Sequence, residues 1–201
     1  VKATQEAWED GERTISYQFS QSPDDARKKT KQAIADKVDT LVVVGGDGMV
    51  NLVGSELMGS DIPMAVIPTG SGNGFARHFG IPLLLSKAAE ALNKGHIIDI
   101  DVGKVNDEHI FLITCSMAWD ADVLKQYEKI PVRGVLPYWL SGVVGLIEFQ
   151  AQDISVSADG AEMVHYEKPM ICTIANLNQW GGGAKIAPHA CADDGIMELV
   201  I

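Results

Sequence analysis

The chain has 201 residues, is 46% hydrophobic and 21% charged, and carries a formal net charge of −11 at pH 7, a composition ordinary for a globular protein with room for one large domain or two modest ones. Charge of that sign excludes broad electrostatic binding to nucleic acid or to an anionic membrane face, both of which need a basic surface, so any anionic ligand has to be held locally. The longest nearly uncharged run, 134–147, is shorter than a membrane helix requires. No signal-peptide pattern is visible, and Cys115, Cys172 and Cys191 show no CxxC spacing, which fits a reduced cytoplasmic compartment.

In chain order, the stretch KATQEAWEDGER reads as the end of a helix and, with Val rather than Met at position 1, predicts a piece of a longer chain. A strand is expected at 14–20 (TISYQFS). A helix is expected at 23–37, where Ser22 is the cap, Pro23 takes the first helical position and two acids lie in the first turn. A strand at 40–44, a helix from Val50 to Met58 and a strand at 63–67 complete a βαβαβ alternation, which predicts a parallel sheet with helical crossovers. After a helix at 86–94, ended by Gly95, the pattern changes to short strands at 96–105, 109–116, 153–158, 169–175 and 196–201, with one further helix at 134–150. Charge changes at the same place: residues 1–95 hold 10 Lys or Arg against 12 Asp or Glu, and residues 96–201 hold 6 against 15. Two domains are therefore expected, an α/β domain over 1–95 and a β-rich domain over 96–201.

Two loops carry the chemistry. In LVVVGGDGMVN, residues 41–51, an apolar strand runs into Gly45, Gly46, Asp47 and Gly48 before a helix. Glycines there let the backbone approach a phosphate and present N–H groups at the positive end of the helix dipole. An aspartate at the carboxyl end of a parallel strand suits a magnesium ion beside those phosphates. A tight turn capped by Asp would explain a lone GGDG, but a second loop, IPTGSGNGFARHFGIP at 67–82, again places small and hydroxyl residues (Gly70, Ser71, Gly72, Asn73, Gly74) between a strand and a helix. Two such loops on neighbouring strands would face each other across one cleft. Neither matches G-x-x-x-x-G-K-[ST], nor G-x-G-x-x-G with an acid about twenty residues on.

The GGDG loop with Asn51, the PTGSGNGFAR loop, IDVGKVN at 98–106 and GGGAKIAPHACADDGIMELVI at 181–201, in this order and spacing, resemble the diacylglycerol kinase catalytic domain family, which includes bacterial lipid kinases and the sphingosine and ceramide kinases. The resemblance implies an α/β nucleotide-binding domain, related to those of NAD kinases and phosphofructokinases, followed by a β-sandwich domain, both incomplete here, with the active site between them. It implies ATP and Mg²⁺, and a lipid substrate such as diacylglycerol or a sphingoid base met at a membrane surface by a cytoplasmic, peripherally associating enzyme of phospholipid biosynthesis. A homodimer is compatible with it; a nucleic-acid partner is not. Carried over by position, the nucleotide-binding residues are Gly46, Asp47, Gly48, Asn51, Ser71 and Ser20. The resemblance assigns Asp101 to a water-linked network with Asp47 around the catalytic magnesium, and Asp194 to a second, structural magnesium. A surface acid at Asp101 and a plain β-turn at Asp193-Asp194-Gly195 are the alternatives. The general base is expected in a D-G-E beyond residue 201, so these residues alone are expected to be inactive.

The chain departs from the family pattern G-G-D-G-T-x-N-E at Met49 and Leu52, and has Gly74 where G-T-G-N-D carries its acid. These departures support an alternative, a nucleotide-binding homologue with weak or no activity, beside an NAD-kinase-like enzyme. Arg77 would reach a phosphate or lie on a solvated helix face. Tyr138, Trp139 and Phe149 would line a lipid cleft or a core. SADGAE at 157–162 reads as a hairpin turn rather than the catalytic D-G-E. Asp47→Asn is expected to weaken Mg·ATP binding and to be mild for folding.

Overall fold

The computed structural model describes residues 1–8, 14–119, 121 and 149–201. The helix expected at 134–150, with Tyr138 and Trp139, lies almost wholly outside them.

Helix α1 (Lys2–Trp8) docks on α5 (Leu85–Leu92), and the buried Trp8 donates its indole N–H to the carbonyl of Ala89 at 2.9 Å. Helix α2 (Pro23–Ala35) starts as its sequence dictates: the Ser22 hydroxyl accepts the Asp25 N–H, Pro23 opens the helix, and the Asp25 carboxylate accepts the N–H of Gln21. Strands β1 (Leu41–Gly45) and β2 (Met64–Pro68) pair in parallel from Leu41 opposite Met64 to Gly45 opposite Pro68. Helix α3 (Asp47–Leu57) is the crossover between them. It begins three residues earlier than the expected Val50, because Gly46 caps it straight off the strand.

The strand expected at 14–20 does not form. Its alternating Ile15, Tyr17 and Phe19 have a strand's pattern, but the segment pairs with no described strand. Ile15 instead packs beside Trp8, Tyr17 shares a hydrogen bond with Thr4, and Phe19 is 73% exposed.

Beyond α4 (Gly74–His78) and α5 the pairing is antiparallel. Strands β3 (Gly103–Val105) and β4 (His109–Phe111) form a hairpin, and β5 (Thr114–Ser116) pairs with β8 (Thr173–Ala175), which also pairs with β11 (Glu198–Val200). The single strand expected at 109–116 is broken because Leu112 gives its N–H to the side chain of Asn51, after which the chain changes sheets. The run expected at 96–105 is ordered into a strand only from Gly103, and Ile97 is left exposed. Strands β6 (Ile154–Val156) and β7 (Val164–Tyr166) are joined through Asp159 and Gly160, both at positive φ, so SADGAE is a hairpin turn. A hairpin of β9 (Gln179–Gly181) and β10 (Ala184–Lys185) had no counterpart in the expected elements.

One core spans the chain: Val43, Val50, Val53, Leu57, Val66 and Phe75 pack with Leu112, Leu177 and Ala192 from the antiparallel half. Arg27 and Lys31 of α2 reach Glu56 of α3 at 2.6 and 3.5 Å. Arg27 foremost, and Lys31 after it, hold the Glu56 carboxyl below its ordinary value, against the opposing effect of burial. No helix of the described residues is long and apolar enough to cross a membrane.

Candidate nucleotide site

The two glycine loops meet at the carboxyl ends of β1 and β2. Thr69 donates its N–H to the carbonyl of Gly45 at 3.0 Å, which carries the parallel pairing one step past the strands. Beyond it the backbones touch: a Cβ on Gly70 would lie 2.5 Å from the Gly46 Cα, and one on Gly46 would lie 2.9 Å from the Gly70 Cα. Only glycine fits at both positions.

Asn73 shapes the second loop from within. At φ 53° its amide oxygen accepts the Gly70 N–H at 2.8 Å and its amide nitrogen donates to the Gly70 carbonyl at 2.7 Å. Asp47, the first residue of α3, reaches across to the same loop. Its Oδ2 accepts the N–H of Gly74 at 2.9 Å and its Oδ1 that of Phe75 at 3.1 Å, so one carboxylate caps the opening turn of α4. Gly74 makes this approach possible. A Cβ there would lie 3.2 Å from the Cβ of the buried Gln179, and about as close to Asp47 as van der Waals contact allows.

A third loop closes the group, and sequence reasoning did not assign it to the site. Gly181, Gly182 and Gly183, at the turn of the β9–β10 hairpin, all have positive φ. The position a Cβ of Gly72 would take is 3.1 Å from Asp47 Oδ2 and 3.6 Å from the Gly182 nitrogen. Arg77 donates its Nε–H to the carbonyl of Gly72 at 2.9 Å, and its Nη1 is 3.4 Å from where a Gly183 Cβ would be. Next to it, His78 Nδ1 accepts the N–H of Asn178 at 3.1 Å, tying α4 to the approach to β9. The available signal was the run of three consecutive glycines, in a segment to which no element had been assigned.

The structure thus brings together Gly45, Gly46, Asp47, Gly70, Gly72 and Asn73. Gly48 is exposed in the first turn of α3 with open space around its Cα, and Ser71 lies between the glycines of the second loop. Other predicted residues sit elsewhere. Ser20 is exposed in the unpaired 14–20 segment. Asn51 turns its amide toward the antiparallel half, donating to the Ile110 carbonyl at 3.0 Å and accepting the Leu112 N–H at 2.9 Å. Met49 and Leu52 pack against the core. Asp101 Oδ2 accepts the Gly195 N–H at 2.7 Å, and Asp194 Oδ1 accepts the Ile196 N–H at 3.0 Å, so these two acids organise one turn.

Among the described residues no three His, Cys, Asp or Glu side chains cluster as metal ligands. Magnesium does not need such a cage: it keeps several waters and is commonly bound through one or two carboxylates together with substrate phosphates. Asp47 fits that use, since each oxygen engages one N–H and retains a lone pair.

Residues 1–105 match the model of the diacylglycerol kinase catalytic domain, and residues 114–201 match that of the YegS C-terminal NAD kinase beta sandwich-like domain. The chain is 29% identical over 192 residues to a Yersinia enterocolitica protein named "Probable lipid kinase YegS-like", covering 92% of this chain and 64% of that protein. It is 30% identical over 183 residues to the diacylglycerol kinase of Mycobacterium tuberculosis, covering 88% and 59%. A crystal structure of a diacylglycerol kinase from Bacillus anthracis str. Sterne superposes with a TM-score of 0.67 at 29% identity, over 92% of this chain and 60% of that one. The chain thus spans about three-fifths of the length of these relatives.

Proposed function

This chain belongs to the diacylglycerol kinase catalytic domain family, and from that premise we propose that it is part of an ATP- and magnesium-dependent lipid kinase, transferring the γ-phosphoryl group to the hydroxyl of a lipid such as diacylglycerol or a sphingoid base. The observation that carries this reading is the locking of the two glycine loops into one wall. Gly46 lies against Gly70, and Asp47 bonds the amides of Gly74 and Phe75. Phosphoryl transfer asks a protein for positioning and charge neutralisation more than for covalent chemistry. Backbone amides of the loops supply the first need. Magnesium entering with the phosphates, beside Asp47, would neutralise developing charge. We place the division between the nucleotide-binding unit and the β-rich unit at residues 95 and 96. We assign the proton-accepting carboxylate to a D-G-E outside residues 1–201.

The test is transfer from labelled ATP to diacylglycerol, sphingosine or NAD, with the lipids in detergent micelles and products separated by thin-layer chromatography. Label on a lipid is the expected result with the protein extended to the length of its relatives; label on NAD alone would sink the lipid reading. The inactive-homologue alternative keeps part of its motive. Leu52 packs against the core, whereas Met49 also lies against the first loop, its Cβ 2.7 Å from where a Cβ of Gly45 would be. Met49 and Gly74 remain as its support.

A further inference from the structure

Resting on the nucleotide reading above, we propose that Arg77 and the Gly181–Gly183 loop form a subsite for the outermost phosphates of the nucleotide. Arg77 is the one Lys or Arg between Lys37 and Lys87, so the stretch holding both glycine loops has a single cation. It makes no ion pair among the described residues and is exposed. Its Nε–H bond to the Gly72 carbonyl fixes the guanidinium plane at the end of the second loop. The remaining donors lie beside Gly183, whose lack of a side chain leaves them uncovered. A guanidinium held by one edge presents its other donors as a fork suited to two phosphate oxygens.

The hairpin supplies the opposite side. Three consecutive glycines have positive φ there, Gly182 and Gly183 are exposed, open space surrounds Gly182 where a side chain would project, and its N–H nitrogen lies near Gly72. Backbone in this conformation presents successive N–H groups to an anion. The local balance favours such an arrangement, because the Asp47 carboxylate is at the same spot and the molecule as a whole repels anions. A polyphosphate entering here needs a cation positioned beyond the acid, and Arg77 is placed to be that cation. The subsite draws its cation from α4 and its amides from the antiparallel half, so it reads phosphate number, leaving the base and sugar to other surfaces.

Isothermal titration with ATP, ADP and AMP, magnesium present, on the parent chain and on Arg77→Gln tests this. The variant should lose about tenfold in affinity for ATP, less for ADP, and stay within about twofold for AMP. Equal losses for all three nucleotides, as a merely structural Arg77 would produce, overturn the subsite while leaving the nucleotide reading intact, and so does no loss at all. A parent chain that binds none of the three overturns both. If Arg77→Gln fails to fold, phenylglyoxal labelling of the unmodified protein decides: ATP should protect Arg77 and AMP should not, and equal or absent protection refutes the proposal.

Discussion

Asp47 occupies a position with two uses, one observed and one proposed, that both draw on its carboxylate lone pairs. As a cap it accepts two N–H groups of α4; as a metal contact it needs lone pairs facing the phosphates. Both are available to a carboxylate and not to an amide, so Asp47→Asn is not the mild change for folding that turn propensity implies. One of its two positions becomes an NH₂ facing a backbone N–H, a half-buried mismatch costing about 1–3 kcal/mol. Calorimetric melting should therefore show a lowered Tm without nucleotide. Titration should show Mg·ATP weakened beyond metal-free ATP by a further ~1–3 kcal/mol. An unchanged Tm would mean the two caps contribute nothing. Equal losses with and without magnesium would remove the metal role. The neighbouring Asn51 makes the converse point: the resemblance puts it on the nucleotide, while its amide donates one hydrogen bond to Ile110 and accepts one from Leu112. Asn51→Ala should cost about 2–3 kcal/mol in urea unfolding, the scale of two lost hydrogen bonds with a stranded donor and acceptor, and change ATP affinity little in protein that remains folded. A large change in affinity with stability intact would return Asn51 to the binding surface.

Between elements, the α2–α3 contact has a strength that depends on pH. Arg27 beside Glu56 depresses the carboxyl below its ordinary 4.5, so between the folded and unfolded values the unfolded chain binds more protons. The pair's stabilisation is then fully present above pH 4.5 and lost as pH falls through the folded value. Glu56→Gln should lower stability at pH 7 by roughly 0.5–1 kcal/mol, a modest figure because Arg27 is half exposed. The difference from the parent should close as pH falls through the folded value; a gap that stays constant with pH would show that the contact is not ionic. Elements were legible where local chemistry decided them. Ser22, Pro23 and the acids of the first turn announced α2, and glycines following apolar strands announced the first two loops. The segment 14–20 misled because alternation states which face is apolar without supplying a neighbouring strand to pair with. The break at Leu112 could not be read either, since its cause is the side chain of Asn51, 61 residues earlier. For the same reason the Gly181–Gly183 loop went unassigned: its glycines were visible, but their approach to Gly72 and Arg77 is a product of tertiary packing.

Over the whole molecule, the parallel and antiparallel halves share one interior. On the antiparallel side the fully buried Asn176 anchors it, with its amide nitrogen donating to the carbonyls of Asp101 at 2.7 Å and Leu112 at 2.9 Å. Because Leu112, Leu177 and Ala192 pack on Val43, Val50 and Phe75, the halves should unfold together. Urea transitions followed by circular dichroism and by tryptophan fluorescence should coincide, and Asn176→Ala should move both midpoints down by the same amount, about 2–3 kcal/mol in stability. Separate transitions would show that the interior is divided. The convergence of loops at 45–48, 70–74 and 181–183 has a consequence in time as well as in space. On a ribosome adding about 5–20 residues per second, Asp47 and Arg77 emerge well before Gly182, and a chain released short of the third loop would carry two walls of the cradle without the last. Nucleotide would thus act as an inspector of finished synthesis, gripping only chains long enough to have closed around it.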